Sequence, residues 1–184
     1  QKAAVLDGAA IHMAAGEYYL AGEANSFVKV EFSKYEKLVE VDFLGGYPAG
    51  LAGTSKTGRD ASANVTAFTG NNEAAIIRLG NQVDLSFDGL TFKNCNFAGL
   101  NQDCAAIYAA AGESGNCALA LNDCKFLDNK NTNGRTGAGL LVDKVDATVI
   151  RGTEIWSRRG FNLPDTEIAN LLLNFGFESI IIRY

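Results

Sequence analysis

Three stretches of the chain repeat one pattern of apolar and polar positions. LSFDGLTF (Leu85–Phe92), LALNDCKF (Leu119–Phe126) and TVIRGTEI (Thr148–Ile155) align without gaps. Phe87, Leu121 and Ile150 fill the third position, Phe92, Phe126 and Ile155 fill the last, and a polar or glycine step separates them. A second set falls between the members of the first: AAII (Ala74–Ile77), AAIY (Ala105–Tyr108) and AGLL (Ala138–Leu141), which aligns Ile76, Ile107 and Leu140. Both sets recur at about thirty residues, with slightly uneven spacing. Two ladders with one elastic period are expected of a solenoid, where each turn lies on the last and like residues stack. The unevenness then reflects loops of different length leaving the same corner. Nearer the start, FVKVEFSKYEKLVEVDF (Phe27–Phe43) alternates apolar and charged residues, the pattern of half-exposed strands.

The polar runs between these steps read as corners and loops. In KFLDNKNTNGRTGAGLLV (Lys125–Val142), Phe126 is expected to point into the core and stack with Phe92 and Ile155. Asn129, Asn131, Asn133 and Gly134 would carry the bend, because Asn and Gly tolerate positive φ. The GAGLL run then opens the next strand with residues small enough for close stacking. GLAGTSKTGRDASANVTAF (Gly50–Phe68) is a long Gly/Ser/Thr-rich excursion, weighed as a surface linker against a binding loop. After Trp156 the repeat stops. NLPDTEIANLLLNFGF (Asn162–Phe177) has Pro164 and Asp165 near its start, Ile168, Leu171, Leu172 and Phe175 on one side, and Gly176 as a stop, which predicts a helix. SIIIRY (Ser179–Tyr184) predicts a final strand, and helix and strand together (162–184) would cap the exposed end of the core.

Two features resemble a known family. Phe126-Leu127-Asp128-Asn129 followed by Gly137-Ala138-Gly139-Leu140 resembles the FxxN and GG-aliphatic motifs of polymorphic outer-membrane protein repeats, found in bacterial surface proteins. AAIHMAAGEYYL (Ala9–Leu20) and VEVDFLGGYPAG (Val39–Gly50), with its GGYP corner, look like the opening turns of such proteins. Cys95 stands where the motif would put its Asn after Phe92, Cys104-Ala105-Ala106 replaces one GG, and Ala138 interrupts another. The resemblance spans roughly residues 9–157 and implies a right-handed parallel β-helix of the pectin-lyase-like type. The expected fold is therefore all-β, a single-stranded right-handed parallel β-helix (solenoid) in one domain over residues 1–184. About six uneven turns occupy roughly residues 9–157, and a short C-terminal helix serves as the cap.

Composition narrows the partners. The 184 residues are 47% hydrophobic, enough for a substantial core, and Gly (20) far outnumbers Pro (2), as suits many tight turns. The net charge is −5 and the 16 basic residues are scattered, with only Arg158 and Arg159 adjacent, which argues against nucleic acid and against an anionic membrane surface. No run approaches the roughly 20 apolar residues of a membrane span, so membrane insertion of this segment is not expected. Cys95, Cys104, Cys117 and Cys124 show no C-x2-C spacing of a zinc or redox site. They read as small core residues, with a Cys95–Cys104 bridge as the alternative in a secreted protein.

Catalytic chemistry has little to work with. His12 is the one histidine, remote in sequence from any nucleophile motif, and reads as a structural or surface residue. A lyase of pectin-lyase-like fold would need carboxylates to hold calcium and a Lys or Arg as base. Asp84, Asp88, Asp123, Asp128, Asp143 and Asp146, with Arg78 and Lys144, supply the residue types, but the repeat alignment sets the acids at different corners. Asp88, Asn122 and Arg151 share one position and form an outward polar ladder that solvation alone explains. Stacked acids on adjacent turns about 4.8 Å apart would satisfy a hydrolase's spacing anyway, so proximity decides nothing. No catalytic residue, cofactor or metal ligand is assigned.

Binding is easier to motivate. Tyr108 and Trp156 suit sugar rings by stacking, and with Arg78 and Asp143 they form the candidate ligand-binding surface; core-edge burial is the competing role for Tyr108. The expected function, mainly through the resemblance, is a non-enzymatic, secreted or bacterial cell-surface, adhesin-like module that binds a glycan or a surface protein. The alternatives are a carbohydrate-active enzyme (polysaccharide lyase or glycoside hydrolase), with calcium as its cofactor, and a structural stalk segment of a longer surface protein.

Overall fold

The computed structural model describes residues 8–19, 28–32, 39–50, 58–71, 75–79, 82–96, 106–110, 117–130, 139–143, 147–156 and 180–183. Every regular element among them is a β-strand. In chain order these are β1 (Ala9–Ala14), β2 (Gly16–Tyr19) and β3 (Val28–Phe32), then β4 (Val39–Tyr47), β5 (Thr66–Thr69) and β6 (Ala75–Leu79). A third circuit comprises β7 (Val83–Asp88), β8 (Leu90–Lys93) and β9 (Ile107–Ala110), and a fourth β10 (Cys117–Asn122), β11 (Lys125–Leu127) and β12 (Leu140–Asp143). β13 (Ala147–Arg151), β14 (Thr153–Trp156) and β15 (Ile180–Arg183) complete the series.

Three sheets share these strands, in the orders β1-β4-β7-β10-β13, β2-β5-β8-β11-β14-β15 and β3-β6-β9-β12. All pairings are parallel. The chain visits the first, second and third sheets in turn, so each strand pairs with the one three places on. β15 departs from this rule by adding to β14. It lies within the stretch expected to be a final strand, whereas the expected helix (162–177) lies outside the described residues.

Strict alternation in β7 and β10 sends Val83, Leu85 and Phe87, and then Cys117, Leu119 and Leu121, into the core. Both ladders of the first repeat set are present as register columns. Leu121 pairs with Phe87 and with Ile150, and Phe126 pairs with Phe92 and with Ile155. Toward the N-terminus the columns continue through Phe43 and through Phe68 to Tyr18. Ring centroids are 5.1 Å apart for Phe43–Phe87 and Phe92–Phe126 and 5.6 Å for Phe68–Phe92, all stacked. Phe87 meets Phe92 edge-on at 5.4 Å, joining the two columns at the centre of the core.

The second repeat set needs a correction of one residue. Ile77, not Ile76, pairs with Ile107, while Leu140 pairs with Ile107 as expected. Ile77 and Leu79 are buried in line with Ile107 and Ala109. A slip of one would exchange the inward and outward positions of the whole strand, so burial fixes the register that two consecutive isoleucines leave ambiguous.

Single residues in the left-handed region turn the chain between the first and second sheets. Gly89, Asp123 and Gly152 occupy equivalent places at φ 67°, 48° and 55°. The ladder runs on through these corners, since Gly89 N–H donates to Asn122 O and Asp123 N–H to Arg151 O. Asn94 and Asp128 serve the same purpose after β8 and β11, at φ 57° and 52°. Short polar residues and Gly tolerate this geometry best. A β-carbon on Gly139 would come within 3.2 Å of the Phe126 side chain, so the GAGLL run is small where it must pass the aromatic ladder.

Candidate functional site

Parallel register brings two of the four candidate binding residues side by side. Arg78 in β6 pairs directly with Tyr108 in β9, which pairs in turn with Leu141 in β12. Asp143 lies on β12 two positions beyond Leu141, opposite Ala110. Three candidates thus share the third sheet. Trp156 does not join them: it ends β14 in the second sheet, opposite Arg183. Tyr108 is half-buried and packs against the core beside Ile107 and Ala109, so core-edge burial accounts for part of its ring.

Among the described residues, the other carboxylates singled out from the sequence are spread over the first sheet and the corners that follow its strands and those of the second. Asp84 sits in the first sheet opposite Glu40 and Ala118. Asp88 lies in the column Leu44–Asp88–Asn122–Arg151, the mixed polar ladder expected from the alignment, and is ion-paired with Arg59. Asp123 and Asp128 are corner residues. Lys144 and Asp146 lie outside the described residues. Among the described residues no three His, Cys, Asp or Glu side chains come together as a metal site. Partial burial, and secondarily the charge of Asp42, holds the Asp84 carboxyl above the usual carboxylate range.

His12 stacks flat on Tyr47, with ring centroids 4.8 Å apart and planes inclined by 6°. Cys95 and Cys124 are buried free thiols, and burial pushes each up to about 12. The Cys124 thiol donates to Phe87 O at 3.3 Å. Thiols so protonated fill space and are poor nucleophiles at neutral pH. Cys117 is buried as well, and Cys104 lies outside the described residues.

Asn129 does a different job from the one its composition suggested. Its side chain is buried; Oδ1 accepts from Cys95 N–H at 3.0 Å and Nδ2 donates to Phe92 O at 3.0 Å. It ties its own circuit to the one before, at the position where that circuit has Cys95. Asn131, Asn133 and Gly134 lie outside the described residues.

The excursion after β4 supplies contacts with no signal in the repeat pattern. Residues 58–64 fold back onto the GGYP corner, where Arg59 Nε donates to Gly45 O at 2.7 Å and Asp60 N–H to Gly46 O at 2.8 Å. Thr66, buried at the start of β5, accepts from Gly46 N–H at 3.0 Å. Nearby, on the second sheet, Lys93 reaches Glu17 at 2.5 Å, and this contact lowers the Glu17 carboxyl.

No family model, curated protein or solved structure matches the chain.

Proposed function

We propose that this chain is a right-handed parallel β-helix acting as a non-enzymatic, secreted or bacterial cell-surface binding module of the polymorphic outer-membrane protein-repeat type. Its ligand would be a glycan or a surface protein. The fold reading is supported by the cyclic visit to three parallel sheets and by like-on-like columns such as Tyr18–Phe68–Phe92–Phe126, as expected of a solenoid. The observation that carries the binding reading is the lateral pairing of Arg78 with Tyr108 on the third sheet, with Asp143 on the same sheet. Tyr and Arg at paired positions of one sheet are the residue types that recognise sugars, the one by ring stacking and the other by donating hydrogen bonds. Asp84 on the first sheet lies apart from the corner residues Asp123 and Asp128, and Asp88 is already ion-paired with Arg59, which favours binding over a lyase or hydrolase, whose acids must converge on one bond.

A glycan array probed with the purified chain, alongside Tyr108→Ala and Arg78→Ala, tests the reading. Retention of a subset of glycans, weakened roughly tenfold or more in both variants, is expected if these residues sit at the centre of the site. Binding unchanged in both variants would remove the third sheet from consideration. Mass spectrometry of the same polysaccharides after long incubation with calcium covers the alternative, since shortened or unsaturated products would make the protein an enzyme.

A further inference from the structure

Connections between the first and second sheets are minimal everywhere but one. Ala15 alone links β1 to β2, Gly89 links β7 to β8, Asp123 and Cys124 link β10 to β11, and Gly152 links β13 to β14. The link from β4 to β5 instead runs from Pro48 to Val65. An insertion at a single corner of a repeating array is an addition that stacking does not require. Its described latter stretch, residues 58–64, is built as a small unit. The Asp60 carboxylate accepts from Ser62 N–H at 2.9 Å, Ser62 Oγ at 2.6 Å and Ala63 N–H at 3.1 Å, which lowers its pKa, and Asn64 N–H donates to Asp60 O at 2.8 Å.

The body of the protein receives this unit on bare backbone. A β-carbon on Gly46 would lie 2.7 Å from Ala61 N, and one on Gly89 would lie 2.8 Å from the Ala61 side chain and from Arg59 Nη2. Glycine at both places lets Ala61 rest on the corners of two successive circuits. Two residues hold it there: Arg59, bonded to Gly45 O and paired with Asp88, and Asp60, through its N–H to Gly46 O. No large apolar side chain lies in 58–64, and most of its residues are exposed. Segments with few buried apolar contacts open at low free energy, independently of the core.

We propose that residues 58–64 form a strap that opens and closes as a unit on this corner, with Arg59 as its latch. Closed, it covers Gly45, Gly46 and Gly89; open, it frees the Gly45 and Gly46 carbonyls and the Asp88 carboxylate. The latch is an exposed ion pair plus one hydrogen bond, so salt should weaken it. The proposal stands whether or not the third sheet binds a ligand.

Amide hydrogen exchange on the full chain, read residue by residue by NMR, tests it. In the wild type the Asp60 amide is expected to exchange faster than that of Asp123, whose bond to Arg151 O belongs to the ladder. Arg59→Ala should speed exchange at Asp60 roughly tenfold and leave Asp123 unchanged. Raising salt from about 0.05 to about 0.5 M should speed Asp60 in the wild type and have little effect in the variant. Equal rates at Asp60 and Asp123 in the wild type, or an Asp60 rate indifferent to Arg59→Ala, would overturn the proposal. Should Arg59→Ala fail to fold, Asp88→Asn and the wild-type salt series give the same decision.

Discussion

At the scale of single residues, the fold depends on a few polar side chains placed where the ladder would otherwise leave backbone groups unpaired. Asn129 is the clearest. It lies just past the left-handed corner residue Asp128 and sends its amide inward, to satisfy the N–H of Cys95 and the carbonyl of Phe92. Thr153 has a related role in the following circuit, accepting from Cys124 N–H at 3.4 Å and donating to Arg151 O at 3.1 Å. Orphaning a buried donor or acceptor costs about 1–3 kcal/mol each. Asn129→Ala strands one of each, so a loss of about 2–4 kcal/mol is expected in a urea or thermal unfolding transition. A loss below about 0.5 kcal/mol would mean that water takes over both bonds and that the tie between circuits is dispensable.

At the scale of strands, the outer face of the first sheet sets like charges together. Glu40 on β4 lies directly opposite Asp84 on β7, and Asp42 is close enough to add to the rise in the Asp84 pKa that burial begins. A carboxyl whose folded pKa lies above its unfolded value opposes folding once ionised. The penalty is absent while both states are protonated, below about pH 3.8, and complete above the raised folded pKa. Asp84→Asn should therefore raise the melting temperature at pH 7, and its advantage should vanish as the pH falls below about 3.8. A constant difference across that range would assign the effect to packing. The same strands show what could be read beforehand. Phe87, Leu121 and Ile150 announced their column because each holds the third position of the aligned repeat and is followed by a polar residue, Asp88, Asn122 or Arg151. Ile76-Ile77 offered two equivalent choices, and only burial of Ile77 separates them. Asn129 carried the composition of a turn; its place three residues after Phe126 set it apart from Asn131 and Asn133 but did not tell that its side chain reaches across to another circuit. Arg59 was illegible for a further reason: its partners Gly45 and Asp88 come from two different circuits, and no periodicity links them to residues 58–64. The pairing of Arg78 with Tyr108 likewise depends on the corrected register of β6.

For the whole molecule, burial along the stack is uneven in a way that predicts how it opens. Inward side chains of the third and fourth circuits are sealed: Phe87 and Phe92 are 1% exposed and Phe126 is 0%. Two circuits earlier Ile11 and Tyr18 are half-buried, and even Phe43 and Phe68, one circuit in, are not fully covered. At the opposite end of the first sheet Ile150 on β13 is 1% exposed. β1 and β13 are the two outer strands of the first sheet, each with one paired neighbour, so position alone would make them open alike. Burial treats them differently, because local opening is least costly where apolar surface is already wet. Hydrogen exchange averaged by strand should therefore be fastest in β1 and β2, slowest in β7, β8, β10 and β11, and clearly slower in β13 than in β1. Equal protection of β1 and β13 would show that position in the array outweighs burial. A single rate across all the strands would show instead that the sheets unfold as one cooperative body, since the aromatic columns run through every circuit from Tyr18 to Phe126 and could couple the half-covered end to the sealed centre.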